Sequence, residues 1–191
     1  MTLRQISQRI RVPAGFVLAP LLFISARPNP MTLAVGAAVA VLGLGIRAWA
    51  SGYLRKNETL TTSGPYSRTR NPLYLGTFLL GTGVAIGGGT LWFVGLFVVL
   101  YVLIYVPVML AEAQTMRSLF PEKYPDYEGS VPLFLPRLTS YRDPHLHGAQ
   151  STALPEASGF EKSLYLKHRE YRAALGLVAV YFLLMAKMFI K

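Results

Sequence analysis

One long apolar run constrains the fold of this chain more than any other feature. The segment from Thr90 to Ala111 is rich in Phe, Val, Leu and Tyr and contains no charged residue. A helix needs roughly 20 mainly apolar residues to cross a bilayer, and within lipid its backbone polar groups must be satisfied inside the segment. Only 15% of the 191 residues are charged, well below the quarter typical of soluble domains. We therefore predict an all-α integral membrane protein.

Four further segments are apolar enough to join this one in the membrane. They are Ile10 to Ala26, Met31 to Leu54, Leu73 to Ile86 and Ala173 to Ile190. Three arginines lie at or just before the start of the first segment, as in a signal peptide, but its two prolines and the following Arg-Pro-Asn-Pro make a poor cleavage region. We predict about five transmembrane helices in a single membrane domain over 1–191, with 173–190 as an extra C-terminal span.

The basic residues, which give a net charge of +10, predict the orientation. If the N-terminus is cytoplasmic, the loop from Ser51 to Pro72 and the segment from Glu112 to Arg172 are cytoplasmic too, and they carry most of the Lys and Arg. The two external loops then hold only Arg27. This asymmetry obeys the positive-inside rule and places the C-terminus outside. No nucleic-acid motif accompanies the charge, so we expect contacts with membrane lipids and none with nucleic acid.

A polar cluster stands at the start of the third predicted span. The stretch from Gly64 to Gly76 places Arg70 and Asn71 at the membrane entrance and Pro72 as the first residue of a helix, where proline is favoured. Charge near lipid is costly and often functional. The cluster could join a water-soluble cosubstrate to a lipid, or Arg70 could only anchor the helix to head groups. Arg47, inside the second span, equally indicates either a buried partner or a snorkelling side chain.

A second polar cluster follows the fourth span. Glu112 stands where that span is expected to leave the membrane, able to pair with Arg or to hold a cationic ligand. Tyr124 and Tyr127, three residues apart, are either interfacial aromatics or walls of a pocket. The prolines of 131–136 predict an extended return along the membrane surface. Beyond it, 139–172 is predicted to be a cytoplasmic loop followed by an amphipathic segment.

Together the two clusters resemble the isoprenylcysteine carboxyl methyltransferase and phospholipid methyltransferase superfamily of integral membrane enzymes. That family carries the motif G-P-Y-x-x-x-R-H-P-x-Y-x-G before one helix, and a Glu-rich helix end followed by F-G-x-x-Y-x-x-Y and V-P-x-x-x-P. The matching residues here are Gly64, Pro65, Tyr66, Arg70, Asn71, Pro72, Tyr74, Gly76, Glu112, Phe120, Pro121, Tyr124, Tyr127, Val131, Pro132 and Pro136. Their order and spacing agree with the family over about 45–138.

The resemblance implies S-adenosylmethionine as the methyl donor. Its pocket would be cytoplasmic, built from the loop before the third helix and the segment after the fourth. The implied catalytic residues are Arg70 and Glu112. The implied cofactor-binding residues are Tyr66, Arg70, Asn71, Pro72, Tyr74, Leu75, Gly76, Glu112, Tyr124 and Tyr127. The chain departs from the family in having Asn71 instead of His, Ala113 instead of a second Glu, and Pro121 instead of Gly; an amide still forms hydrogen bonds but is no base.

Several functions remain open at this stage. The acceptor is expected to be a lipid or a prenylated small molecule, and the reaction to be most like isoprenylcysteine carboxyl O-methylation. The alternatives are N-methylation of a phospholipid amine, a membrane reductase with a nicotinamide cofactor, or a non-enzymatic lipid-binding protein of the same fold. No metal site is predicted, because the chain has no cysteine and His145 and His147 lack a third ligand nearby. The oligomeric state is left undetermined.

Overall fold

The computed structural model describes residues 17–54, 59–142 and 159–190, and every one of its regular elements there is helical. Residues 17–25 form α1. The remaining elements are α2 (Pro30–Ser51), a 3-10 turn (Gly64–Ser67), α3 (Pro72–Gly87), α4 (Leu91–Leu119), α5 (Tyr124–Ser130), α6 (Lys162–Lys167) and α7 (Tyr171–Phe189). The predicted all-α class is confirmed.

Three of these helices, α2, α4 and α7, are long and apolar enough to cross a membrane. The chain is therefore an integral membrane protein. Helix α3 is apolar but has only 16 residues, and the first part of the predicted span from Ile10 to Ala26 lies outside the described residues. The count of about five spans stays a prediction.

Local sequence signals explain where the helices begin and end. At the start of α2, the backbone N–H of Thr32 donates to Oδ1 of Asn29 over 2.9 Å, and the N–H of Asn29 donates to Oγ1 of Thr32 over 3.0 Å. This reciprocal cap satisfies N–H groups that the helix leaves open. Pro72 is the first residue of α3, as predicted. Glycines at the end of α3 make the turn into α4, with Gly89 at φ 71°, a conformation that glycine tolerates best.

Helix α4 extends beyond the predicted span, to Leu119, so Glu112 lies inside the helix. The polar residues after Ala111 are themselves good helix formers. The predicted amphipathic segment from Glu161 to Arg172 is broken into α6 and a turn at 168–170. In that turn Arg169 has φ 55°, which a continuous helix does not allow.

Helices α2 and α3 pack with their backbones almost in contact. A Cβ atom added to Gly43 would lie 2.5 Å from the backbone N of Leu80 and 2.6 Å from the carbonyl O of Gly76. Small residues allow helices to approach this closely in a membrane, where packing replaces the hydrophobic driving force. The Gly- and Ala-rich composition of α2 is therefore used for packing within the chain.

Helix α7 is attached to the bundle by polar contacts at several depths. The hydroxyl of Tyr181 donates to the carbonyl of Gly83 over 3.0 Å. Near the end of α7, Nζ of Lys187 donates to the carbonyl of Ile24 over 3.0 Å and lies 5.0 Å from the ring centre of Phe23. Between α1, α3, α4 and α7 lies an apolar cavity of about 800 Å³ that is open to the surface.

Candidate functional site

The loop before α3 owes its shape to a glycine. Gly64 has φ 58°, and a Cβ there would lie 2.7 Å from the ring of Tyr53, so both conformation and space demand glycine. The turn that follows is closed by Ser67, whose hydroxyl donates to the carbonyl of Gly64 over 2.7 Å. It buries the side chain of Tyr66, which is 7% exposed.

The chain beyond α5 returns along this loop. The amide of Asn71 does not cap α3; its Nδ2 donates to the carbonyl of Leu133 over 2.9 Å. The hydroxyl of Thr69, which is 2% exposed, donates to the carbonyl of Phe134 over 2.9 Å. Backbone bonds of 2.9–3.0 Å also join Arg70 to Pro132, Arg137 to Arg68 and Tyr141 to Ser67. These bonds hold the two predicted site regions together.

Arg70 is engaged with a carboxylate that sequence analysis did not single out. Its Nη1 donates to Oε1 of Glu128 and, over 3.2 Å, to the hydroxyl of Tyr124. The other oxygen of Glu128 accepts from Nε of Arg117 over 2.5 Å. Burial alone would raise the pKa of Glu128, but the two guanidinium groups hold that pKa below its ordinary value. The Nε of Arg70 is buried without a partner among the described residues.

The two polar regions meet most directly at Tyr74 and Glu112. The hydroxyl of Tyr74, on α3, donates to Oε1 of Glu112, on α4, over 2.7 Å. Two further contacts fix Tyr74. The hydroxyl of Tyr101 donates to the carbonyl of Tyr74 over 2.6 Å, and the ring of Tyr74 meets that of Tyr105 edge-on at a centroid distance of 5.5 Å. Glu112 itself is half-buried.

The other predicted tyrosines form a packed layer beside this pair. Tyr124 and Tyr127 are each 3% exposed and pack with Ala113 and Val131. The hydroxyl of Tyr127 donates to the carbonyl of Tyr66 over 2.7 Å. Burial raises the pKa of all three hydroxyl groups, and the charges of Glu112 and Glu170 add to this effect at Tyr66.

Three predicted cofactor residues are used in packing. Pro72, Leu75 and Gly76 are buried in the first turns of α3. A Cβ at Gly76 would lie 2.6 Å from Cγ of Arg47, so this glycine makes room for the arginine stem. The structure thus brings Tyr74 and Glu112 together and places Tyr66, Arg70, Asn71, Tyr124 and Tyr127 in the adjoining layer. Pro72, Leu75 and Gly76 support this arrangement through packing.

Arg47 has a partner. Its Nε and Nη2 donate to the two oxygens of Glu170 over 3.0 and 2.9 Å, and its Nη1 donates to the hydroxyl of Thr77. The side chains of Arg47 and Glu170 are 22% and 10% exposed. Sequence analysis left this arginine's role open and did not single out Glu170. The signal that pointed to it was the unpaired charge inside a span.

Comparison with known proteins identifies the family. The family model described as phospholipid methyltransferase matches residues 30–123, and a relative described below is 34% identical over 81% of the chain. The chain belongs to the isoprenylcysteine and phospholipid methyltransferase superfamily. The stretch that matches the family model contains α2, the loop before α3, α3 itself and α4. It ends just before Tyr124.

Two relatives of this family member carry names from metal resistance. The cobalt-zinc-cadmium resistance protein CzcN of Cupriavidus metallidurans is 34% identical over 161 residues, which are 81% of this chain and 71% of that protein. The nickel-cobalt-cadmium resistance protein NccN of Alcaligenes xylosoxydans xylosoxydans is 30% identical over 132 residues, which are 68% of this chain and 57% of that protein. No solved structure matches the chain.

A metal-binding cluster is not found in the described parts of this superfamily member. Residues 17–54, 59–142 and 159–190 contain no group of three or more His, Cys, Asp or Glu side chains that could hold a metal ion. His145 and His147, which sequence analysis considered as ligands, lie outside the described residues, as do Arg55 and Lys56 of the loop before α3.

Proposed function

We propose that this protein is an S-adenosylmethionine-dependent membrane methyltransferase that acts on a lipid or prenylated acceptor at the cytoplasmic face. The observation that carries the proposal is the 2.7 Å hydrogen bond between Tyr74 and Glu112. This bond unites the two polar regions at one end of an apolar bundle, in a chain that belongs to a methyltransferase family. The reaction we favour is most like isoprenylcysteine carboxyl O-methylation.

The residues around Glu112 suit a cationic donor. When bound, S-adenosylmethionine supplies an already activated methyl group on a sulfonium. The chain then has mainly to position two reactants and to provide a suitable field. Glu112 offers a carboxylate held by Tyr74, and the rings of Tyr74 and Tyr105 offer faces that attract cations. We assign Glu112 to the polar groups of the donor and the tyrosines to the wall of its site.

Arg70 takes a conditional role in this scheme. Its guanidinium is engaged with Glu128 and Tyr124, so orienting an acceptor carboxylate would require it to exchange one of these partners. A carboxylate acceptor needs no base, whereas a lipid amine must lose a proton, and Glu112 is then the nearest base. Labelled donor offered with a prenylcysteine, or with phosphatidylethanolamine, separates O-methylation from N-methylation.

Binding calorimetry on purified protein tests the donor assignment. We expect S-adenosylmethionine and S-adenosylhomocysteine to bind saturably, and Glu112→Ala to lose at least about tenfold in affinity, since hydrogen bonds to charged groups contribute roughly 1.5–3 kcal/mol. Glu122→Ala, which removes an exposed carboxylate three residues beyond α4, should bind like the wild type. A folded wild type that binds reduced nicotinamide instead would establish the reductase alternative. Binding neither ligand would support a non-enzymatic role.

The names of the relatives suggest the setting in which the methylation acts. Because both relatives are called resistance proteins for cobalt and cadmium, we propose that the modified acceptor contributes to tolerance of such metals. A strain that lacks this chain should grow less well in cobalt, zinc or cadmium. The wild type should restore growth and Glu112→Ala should not. Equal rescue by both would separate metal tolerance from methyl transfer.

A further inference from the structure

The ion pair between Arg47 and Glu170 has a high desolvation cost in an integral membrane protein. Arg47 lies four residues before the end of a membrane-spanning helix, and Glu170 is 9% exposed. Two charges removed from water rarely recover their desolvation cost through mutual attraction alone. Charged residues within membrane-spanning helices are therefore functional candidates in the first instance.

The packing around the pair is adapted to hold it. Gly76 has no side chain where the stem of Arg47 passes, since a Cβ there would lie 2.6 Å from Cγ of the arginine. The hydroxyl of Thr77 accepts from Arg47 and donates to the carbonyl of Leu73 over 2.8 Å. Three of the five guanidinium N–H groups donate in these contacts.

The pair adjoins the Tyr74 and Glu112 site. Tyr74 and Thr77 are three residues apart on α3 and so share one helical face. The hydroxyl of Tyr74 donates to Glu112, and the hydroxyl of Thr77 accepts from Arg47. Arg47 also donates to Glu170. The Tyr74–Glu112 pair and the Arg47–Glu170 ion pair therefore lie along the same face of α3.

We propose that Arg47 and Glu170 hold the amino-acid end of the methyl donor, Arg47 its carboxylate and Glu170 its ammonium group. The inference rests on the proposed function, since it assumes that donor. An α-amino acid carries opposite charges on neighbouring atoms, and an arginine beside a glutamate presents the complementary charges. Arginine also matches a carboxylate in planar, bidentate geometry. The adenosine end would then lie toward Glu112 and the tyrosines.

Two ligands that differ only at this end test the assignment. S-adenosylhomocysteine carries the amino-acid end, whereas 5′-methylthioadenosine keeps the adenosine and the thioether without it. We expect the wild type to bind the first at least about tenfold more tightly. In Arg47→Gln and in Glu170→Gln this preference should collapse while the affinity for 5′-methylthioadenosine is kept. Arg172→Gln and Glu122→Gln, which remove exposed charges, should preserve the preference.

A charge exchange separates binding from folding. The double variant Arg47→Glu with Glu170→Arg keeps an ion pair, so it should fold better than either single variant, yet it should not recover the preference. Recovery of the preference by the exchange, or equal binding of both ligands by the wild type, would overturn the assignment even if the single variants do not fold. A folded wild type that binds neither ligand would instead remove the proposed function, and this inference with it.

Discussion

At the scale of single residues, two arginines of the bundle are engaged in internal ion pairs. Arg70 contacts Glu128 and Arg47 contacts Glu170, so two arginines that sequence analysis placed at or in the membrane both have carboxylate partners. The side chain of Asn71 likewise has a structural partner, because its amide donates to the carbonyl of Leu133 in the chain beyond α5. A histidine in its place would carry different donors at this junction.

The pair at Arg70 predicts a dependence of stability on pH. The folded-state pKa of Glu128 is lowered, so its contribution to stability is fully present above the pKa of the unfolded chain and is lost as the pH falls through the folded-state pKa. We expect the thermal unfolding temperature in detergent to fall on acidification below the ordinary carboxyl range, and to fall less in Glu128→Gln. An identical decline in both proteins would show that other carboxylates dominate.

At the scale of elements, the contact between α2 and α3 sets the position of the site. The two helices approach so closely that backbone atoms of one lie where a Cβ of the other would be. This contact aligns Arg47 with Thr77 and, one turn earlier on α3, leaves Tyr74 facing Glu112 on α4. Gly43 and Gly76 therefore help to orient the polar side chains of the site, because they allow α2 and α3 to approach closely.

Two neighbouring glycines of α2 provide a matched test of this contact. Gly43→Ala would place a Cβ 2.5 Å from the backbone of α3, whereas Gly45 has no heavy atom within 4 Å of such a Cβ. Overpacking typically costs about 1–3 kcal/mol, so Gly43→Ala should lower the unfolding temperature. Gly45→Ala should leave it unchanged or raise it slightly, because alanine favours helix. Equal effects on unfolding temperature would contradict close packing at Gly43.

At the scale of the whole molecule, the polar site and the apolar cavity occupy different parts of the bundle. The cavity is lined by Leu80, Val84 and Ala85 of α3, and at 1.5 Å per residue Leu80 lies about 9 Å further along the helix than Tyr74. Most of the described Lys and Arg residues lie toward the end of the bundle that holds the site, whereas the opposite end carries Arg27 and Lys187. This polarity of charge is what the positive-inside rule interprets as orientation.

The absence of cysteine makes that orientation directly measurable. Single cysteines at Ser130, which is exposed beside the site, and at Leu91, which is 89% exposed at the opposite end, can be labelled in intact cells without background. We expect a membrane-impermeant thiol reagent to label Leu91→Cys, and to reach Ser130→Cys only after the membrane is opened. The reverse pattern would show that the site faces outward.

Local composition was sufficient to identify the main helices, the class and the two polar regions. Pro72 begins α3 as predicted. The length of the apolar runs predicts α2, α4 and α7, because hydropathy over a span is a property of neighbouring residues. The contact between Tyr74 and Glu112 agrees with the family resemblance, in which two motif regions are separated in sequence by one helical hairpin. What only the tertiary structure decided is which charges pair. Arg47 and Glu170 are 123 residues apart, and their contact depends on how α2, α3 and α7 pack, which no local pattern encodes.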